Sequence, residues 1–572
     1  MRSFWKALVC VNLLLVAFAA PAHAAFFQWS GTTDDDWGNS SNWIFGAGVP
    51  GAGDDVLFST SSANTTIDLN GDRSVLSASF ANFTPYTLDA GGSFTLTLVS
   101  GDLIASGTET HTINSDVVLG ADGDWDINNP LFEASRVITG NKLTKTGIGT
   151  LLLTGGDNTT PSSLATLQPN GGETIVDGAR LDLTSTVFSL ADAALTANAG
   201  DITLRNAADV RLAAGSFGFI QNATLTVTGS GTSLTGSRLD AAPTPGSTGS
   251  IVVEESASMG LSTLLYIGFA GDGDLTVQTG GTAASALGVR VGVTGSGNAL
   301  VTGPDSVLSS SSDLLLGGRG LVEFGGTGTL TVDNDGLVQV ADETKFWTSA
   351  SSITIDGGTF ETDLLTNHTG VTATVSISDP NSGTALTVGT NNSSSTFDGL
   401  IQDAAGGPGS LKKTGAGTFT LTGANTYTGG TIIDDGSIIL DHANALQNST
   451  VNINVNDGLN INGLNATIGG LAGSGNLDLG AQTLTAGGNN APTEYSGTMS
   501  GAGSLTKDGT GTLELTGGDN TTPSSLGSLR PQGGETIVDG GRLDLTSTVF
   551  TLADAALTTN TIVSQTFCKR QQ

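Results

Sequence analysis

The chain has 572 residues, with 53 acidic against 20 basic side chains and a formal net charge of −33. A surface this acidic repels nucleic acid and anionic lipid, which removes both as expected partners. Charged residues are nevertheless sparse at 13% and apolar ones reach 37%, a balance that builds a packed core and argues against disorder.

Arg2 and Lys6 precede an apolar run from Ala7 to Ala20 that closes on Ala22-His23-Ala24. This is the pattern of a secretory signal peptide with an A-x-A cleavage site, so residues 1–24 are read as a Sec-type export signal and the mature chain is expected to start at Ala25. Cys10 follows Val9 rather than the small residue of a lipoprotein signal, which argues against a lipid anchor. Beyond the signal no segment approaches the ~18 to 20 uncharged apolar residues of a membrane-spanning helix. Once the signal is removed only Cys568 remains, so no intramolecular disulfide is available and stability has to come from packing and hydrogen bonds.

From residue 25 onward, period-2 alternation dominates. "FTLTLVSG" from Phe94, "ATLTVTGSG" from Ala223, "GDLTVQTGG" from Gly273, "GTLTVDNDG" from Gly328 and "LNINGLNATIGG" from Leu459 are short strands punctuated by Gly, Asn and Asp turns. Helix is expected only in short pieces, the best being "SLADAALTANA" from Ser189. A strand every ten residues or so leaves a sandwich, a propeller or a solenoid, and internal repetition favours the solenoid. Residues 145–198 and 507–560 are identical at 44 of 54 positions, both containing "LTGGDNTTPSSL", and a shorter relative starts at Lys413. That relative shares the opening "KTGxGTxxLTG", lacks "TTPSSLATLQPN", and is read as resuming at Gly429-Gly430 where the longer copies have Gly171-Gly172 and Gly533-Gly534. A second repeat, "GDGDLTVQTGG" from Gly271 and "GTGTLTVDNDG" from Gly326, recurs at 55 residues. Strands with one apolar face, such as Leu275/Val277 and Leu330/Val332, must stack on neighbours. At the ~4.8 Å interstrand spacing, roughly 20 to 25 rungs give a rod on the order of 100 Å. The fold expected is an all-β, elongated parallel β-helix.

The segment "KTGAGTFTLTGANTYTGGTIIDDGSIIL" from Lys413 resembles the autotransporter-associated β-strand repeat, or passenger-associated transport repeat, of pattern KxGxGTLxLxGxNTYxGGTxxxxGxLxL. Gly415, Gly417, Thr418, Leu421, Gly423, Asn425, Thr426, Tyr427, Gly429, Gly430, Thr431, Gly436 and Leu440 fit it, with Phe419 and Ile438 in place of leucines. The middle, Leu264 to Val340, is similar to repeats shared by type V secretion passengers and PEP-CTERM-associated proteins. Trp29, Trp37, Asn42-Trp43, Pro50 and Asp55 resemble the Trp-rich start of such proteins. The resemblance implies a right-handed β-helical passenger at the surface of a Gram-negative-type bacterium, often serving adhesion to carbohydrate or other cell-surface and matrix components.

The organisation expected is therefore a signal at 1–24, a Trp-rich cap with the first rungs at 25–140, the first module at 141–200 and a β-helix of ~55-residue repeats at 201–345. A further β-helix at 346–505 contains the 413–440 repeat, a second module fills 506–560, and a divergent tail occupies 561–572. Members of the family normally end in an outer-membrane barrel or a sorting signal. The tail "TIVSQTFCKRQQ" resembles neither, so the alternative expectation is a truncated passenger, periplasmic if its export module is missing.

Polysaccharide lyases and hydrolases use β-helical scaffolds too, with a site assembled from distant rungs, and that is the alternative reading of the chain. A glycosidase needs two opposed carboxylates, yet neighbours such as Asp54-Asp55 and Asp434-Asp435 point to opposite faces of a strand and sit in Gly-flanked turns. His111, His368 and His442 have polar neighbours and are read as solvated loop histidines, not zinc ligands or triad members. Pectinase-type "GHG" and "RIK" motifs are absent, and the Gly-rich turns precede strands, so they cradle no phosphate. For calcium the best candidate is "DGDWDINNPLFE", with Asp122, Asp124, Asp126 and Glu133 at positions 1, 3, 5 and 12 of an EF-hand-like loop, although Ile127 replaces the Gly of position 6 and no helix flanks it. Leu275 and Leu477 stand where a calcium β-roll places its aspartate. The expectation is a non-catalytic protein with no cofactor site, and with Trp29, Trp37 and Trp43 capping the solenoid rather than stacking on sugars.

Overall fold

In the computed structural model, residues 24–59, 62–89, 91, 94–187, 193–320, 323–379, 383–546, 556–559 and 563–565 are described. The expected signal peptide, the break after Asn560 and most of the tail fall outside them. Strand accounts for about 55% of the chain, wound into a β-solenoid of about 21 turns. Among the described residues the only helical element is a 3-10 turn, Ser40–Asn42.

A regular turn lays one strand on each of three faces. Around one central turn these are Ser258–Leu261 on face one, Leu264–Ile267 on face two and Asp272–Gln278 on face three. Each pairs in parallel with its counterpart a turn later, Thr282–Ser285, Gly288–Val291 and Ser296–Thr302. Alternation sends every second side chain inward, and the parallel register stacks like on like. On face three Ile202, Leu225, Ile251, Leu275, Ala299, Leu330, Ile353, Val375 and Ile401 form one unbroken row, and all are buried. At roughly 2 kcal/mol for each large aliphatic side chain removed from water, such rows hold the rod together.

The 55-residue repeat resolves into two turns. Asp272 pairs with Ser296 and Ser296 with Thr327, so "GSGNALV" from Gly295 is an intervening copy disguised by Ala299 and Leu300. The longer second turn carries an extra antiparallel hairpin, Gly318–Gly320 against Glu323–Phe324. The glycines of these G-x-G corners are a packing requirement. A Cβ on Gly273, Gly297 or Gly328 would lie 2.0, 2.2 and 2.3 Å from backbone atoms of Gly268, Ile267 and Val291 respectively.

The helix expected from Ser189 is not formed where the structure describes it: Leu195–Asn198 is a strand, paired with Phe217–Gln221. The neighbouring turn offers a hydrogen-bonding template for every backbone group and a buried slot for Leu195 and Ala197, which outweighs weak local helix propensity. At the N-terminal end Trp43–Ile44 pairs antiparallel with Phe26–Trp29. Trp29, Trp37 and Trp43 are buried there, with Trp43 packed edge-on 5.1 Å from Trp29 and 4.8 Å from Trp37 between ring centres. They close the end of the core and present no open face to a sugar.

Candidate functional site

The repeated modules are built around a buried lysine. Lys145, Lys413 and Lys507 each follow an inward leucine by two residues (Leu143, Leu411, Leu505) and so point into the core, where each is at most 1% exposed. The Lys145 ammonium donates to the carbonyls of Gly147 (2.9 Å), Gly149 and Gly171 (2.6 Å). Lys413 donates to Thr414 (2.5 Å), Gly415 (2.6 Å) and Asp435 (3.4 Å). Lys507 donates to Asp508 (2.6 Å), Gly509 (3.1 Å) and Gly533 (3.3 Å). Burial pushes all three ammonium pKa values down, that of Lys145 to about 8, against the opposing pull of nearby carboxylates.

This explains the K-x-G-x-G spelling. The first glycine takes the left-handed conformation (Gly147 φ 76°, Gly415 φ 66°, Gly509 φ 70°), which only glycine adopts cheaply, and turns the chain back over the ammonium. The second leaves room for the previous turn, since a Cβ on Gly149 would lie 1.9 Å from the Asn129 carbonyl oxygen and one on Gly417 2.0 Å from that of Ser393. Followed strand by strand, the pairings put Lys145 on face two, Lys413 on face one and Lys507 on face three. A module can therefore begin on any face, as a unit that staples its own turn requires.

The lysine contacts also correct the alignment of the modules. Gly171, Asp435 and Gly533 supply the equivalent third carbonyl, and Gly172, Gly436 and Gly534 share φ near 60°. Gly171-Gly172 thus corresponds to Asp435-Gly436, not to Gly429-Gly430. The longer copies carry a net four extra residues in the Gly156–Pro161 bulge, and "SSLATLQP" is a strand of the coil, Ser162–Pro169, so the shorter relative does not lack the whole of "TTPSSLATLQPN". Where the Lys413 module uses Asn425, which accepts from Ile401 N (2.8 Å) and donates to the Ala445 carbonyl (3.1 Å), the longer copies use Ser162 and Ser524 to accept from Ile138 N and Met499 N. Tyr427, buried in the same module, bonds Thr431 Oγ1 at 2.6 Å, and burial raises its pKa.

In each long copy the bulge is closed by one aspartate. Asp157 Oδ1 accepts from Thr159 N, Thr160 N and Thr160 Oγ1, and Asp519 Oδ1 does the same with Thr521 and Thr522. Those bonds stabilise the carboxylates and lower their pKa values.

The calcium candidates do not form a loop. Asp124 and Asp126 flank inward Trp125 on Gly123–Ile127, with Asp122 just before it. Glu133 lies on a different face, in Leu131–Ala134, accepting from Thr154 Oγ1. Asp126 accepts from Asn128 and Thr146. Among the described residues no group of three or more His, Cys, Asp or Glu is disposed to hold a metal ion. Asp54 and Asp435 cap turns through Gly51 N and Gly436 N, and Asp434 pairs with Lys412 at 2.8 Å.

His111 departs from the expectation of a solvated loop. It is fully buried on His111–Asn114, 5.3 Å from the Phe80 ring and 6.1 Å from that of Tyr86. Its Nδ1 accepts from Tyr86 N, and desolvation pushes its pKa down to about 4. His368 stacks on Trp347 at 4.7 Å, while His442 Nδ1 accepts from Asn444 N.

The fold and the site together define a parallel β-solenoid whose repeated units are stapled by inward lysines. Residues 143–182, 411–440 and 505–545 match the family model of the passenger-associated-transport-repeat, so the chain carries three segments similar to that repeat. It is also similar to the curated Adhesin BmaC autotransporter of Brucella suis biovar 1 (strain 1330), with 31% identity over 201 residues, 33% of this chain and 5% of that protein. The match thus spans a small fraction of that relative's length. No solved structure matches the chain. Among the described residues no helix is long and apolar enough to cross a membrane.

Proposed function

We propose that the chain is a secreted or surface-displayed passenger with a structural and adhesive role, exported by the Sec route and binding carbohydrate or other cell-surface or matrix components without catalysis. The observation that carries this reading is the outward face of the rod. Thr203, Thr226, Thr276, Thr331, Thr354, Ser376 and Gln402 stand in one register column on face three, interrupted by Val252 and Leu300. Such a surface offers repeated donors and acceptors along a stiff rod, suited to distributed contacts rather than to one reaction centre. The passenger repeats and a relative named as an adhesin support it.

The test is to couple residues 25–572 to beads and measure attachment to immobilised glycans, matrix proteins and cultured cells, while assaying a polysaccharide panel for new reducing ends. Attachment several-fold above bare beads, with every polysaccharide left intact, is expected. Absence of attachment to all three surfaces, or release of reducing ends or unsaturated products, overturns the reading.

A further inference from the structure

The two long modules hold the same loop over different floors. Under the first copy's loop lies an open polar groove of about 490 Å³, lined by Asp116, Ser135, Arg136, Thr154, Asp157 and Thr160, with Val137, Gly155 and Gly156 completing it. The equivalent floor of the second copy is fixed by its hydrogen bonds. Thr154 N donates to the Ala134 carbonyl and Thr516 N to that of Tyr495, while Val117 N donates to Val137 and Leu477 N to Thr498. Arg136 therefore corresponds to Gly497, a match confirmed by Gly155 and Gly517, whose added Cβ would each lie 1.9 Å from the carbonyl oxygen of that residue. Asp116 likewise corresponds to Asn476. The duplicated loop keeps its Asp and Thr residues in both copies, whereas the guanidinium and the facing carboxylate belong to the first copy alone.

We propose that the groove beneath Gly156–Pro161 is a binding site for a neutral hexose unit of a glycan. This rests on the adhesive reading above and names a ligand class for it. Arg136 uses Nε on Asp116 Oδ1 at 3.4 Å, with side chains 41% and 34% exposed; among the described residues its two terminal nitrogens have no partner. Asp157 spends Oδ1 on the loop, and its carboxylate is exposed. A forked donor flanked by two carboxylate acceptors matches vicinal hydroxyls, each of which both donates and accepts. Two carboxylates against one guanidinium, on a chain of net charge −33, disfavour an acidic sugar. With no aromatic ring in the lining to stack on a pyranose, the affinity for one unit is on the order of millimolar.

The test titrates methyl glycosides of mannose, galactose and glucose, and methyl glucuronide, into residues 25–572 by calorimetry. One neutral glycoside is expected to bind at one site per chain, at least tenfold tighter than the glucuronide. Arg136→Ala should weaken it at least tenfold, and Arg136→Lys should restore only part, because an ammonium cannot fork. Asp116→Asn, which writes the second floor's residue into the first, should weaken it several-fold with the melting profile unchanged, a loss that misfolding cannot imitate. Unchanged binding in Arg136→Ala, preference for the glucuronide, or no binding of any glycoside while beads still attach to cells each overturns the site and leaves the adhesive reading standing. Loss of bead attachment in the wild-type chain strikes that reading itself.

Discussion

Lys412 and Lys413 are neighbours on one strand with opposite fates, and replacing each by methionine separates the role of the buried ammonium from that of the strand. Lys412 points outward to Asp434 at 2.8 Å, both side chains more than a third exposed, so its loss should cost at most about 1 kcal/mol. Lys413→Met keeps the aliphatic stem but leaves the carbonyls of Thr414, Gly415 and Asp435 facing a thioether. Bonds to a charged donor contribute about 1.5–3 kcal/mol each. The two short ones thus set a loss of ~3–6 kcal/mol, and release from the cost of burying the charge returns part of it. A net local destabilisation of about 3 kcal/mol follows. Because a solenoid unfolds by neighbouring turns rather than all at once, hydrogen exchange at residues 411–440 is the appropriate assay. About 3 kcal/mol corresponds to a loss of protection on the order of 100-fold, with residues 200–300 unaffected. Equal, less than threefold effects of the two substitutions would refute the lysine staple.

Three further outcomes are expected. Gly297→Ala, forced against the Ile267 carbonyl 2.2 Å away, should lower stability by roughly 1–3 kcal/mol, seen as accelerated proteolysis between residues 260 and 330; Gly260→Ala, with open space around it, should not. His111 binds its proton less well folded (pKa about 4) than unfolded (about 6.5), so its neutral form favours the fold above pH 6.5 and that contribution is lost between pH 6.5 and 4, by about 3 kcal/mol in all. Acid melts of wild type and His111→Phe should diverge in that window, and parallel profiles would show that the histidine does not titrate with folding. Asn425→Ala breaks the link between the turns of Ile401 and Ala445 and should cost about 2 kcal/mol, measured by exchange at the Ile401 amide, whereas Asn425→Ser, copying Ser162, should recover part.

The strand rhythm, the parallel coil and the three modules were legible in the sequence, because alternation and repetition record core-facing rows directly. The lysine staples were not recognised, though parity held the signal: Leu411-x-Lys413 and its two counterparts put the lysine on the same side as the leucine. His111 shares its parity with buried Ile113 in the same way, and its polar neighbours concealed it. The intervening turn at Gly295 was missed because its glycines carry the corner while its side chains diverge. The helix expected from Ser189 failed because local propensity cannot register the neighbouring turn. Of the candidate groove, the loop was visible as a duplicated segment, but its floor comes from residues about 20 and 40 positions earlier, brought beneath it only by winding.

The claim beneath all of this is that residues one turn apart are stacked in register, and a single spin-label distance tests it. With Cys568 replaced by serine, labels at Thr203 and Thr354 lie six registered steps apart on face three, through Thr226, Val252, Thr276, Leu300 and Thr331. At ~4.8 Å per step the parallel coil predicts a narrow distribution centred at roughly 29 Å, broadened only by the label linkers. A broad distribution, or one centred beyond about 45 Å, contradicts the winding and, with it, the groove and the staples that depend on it.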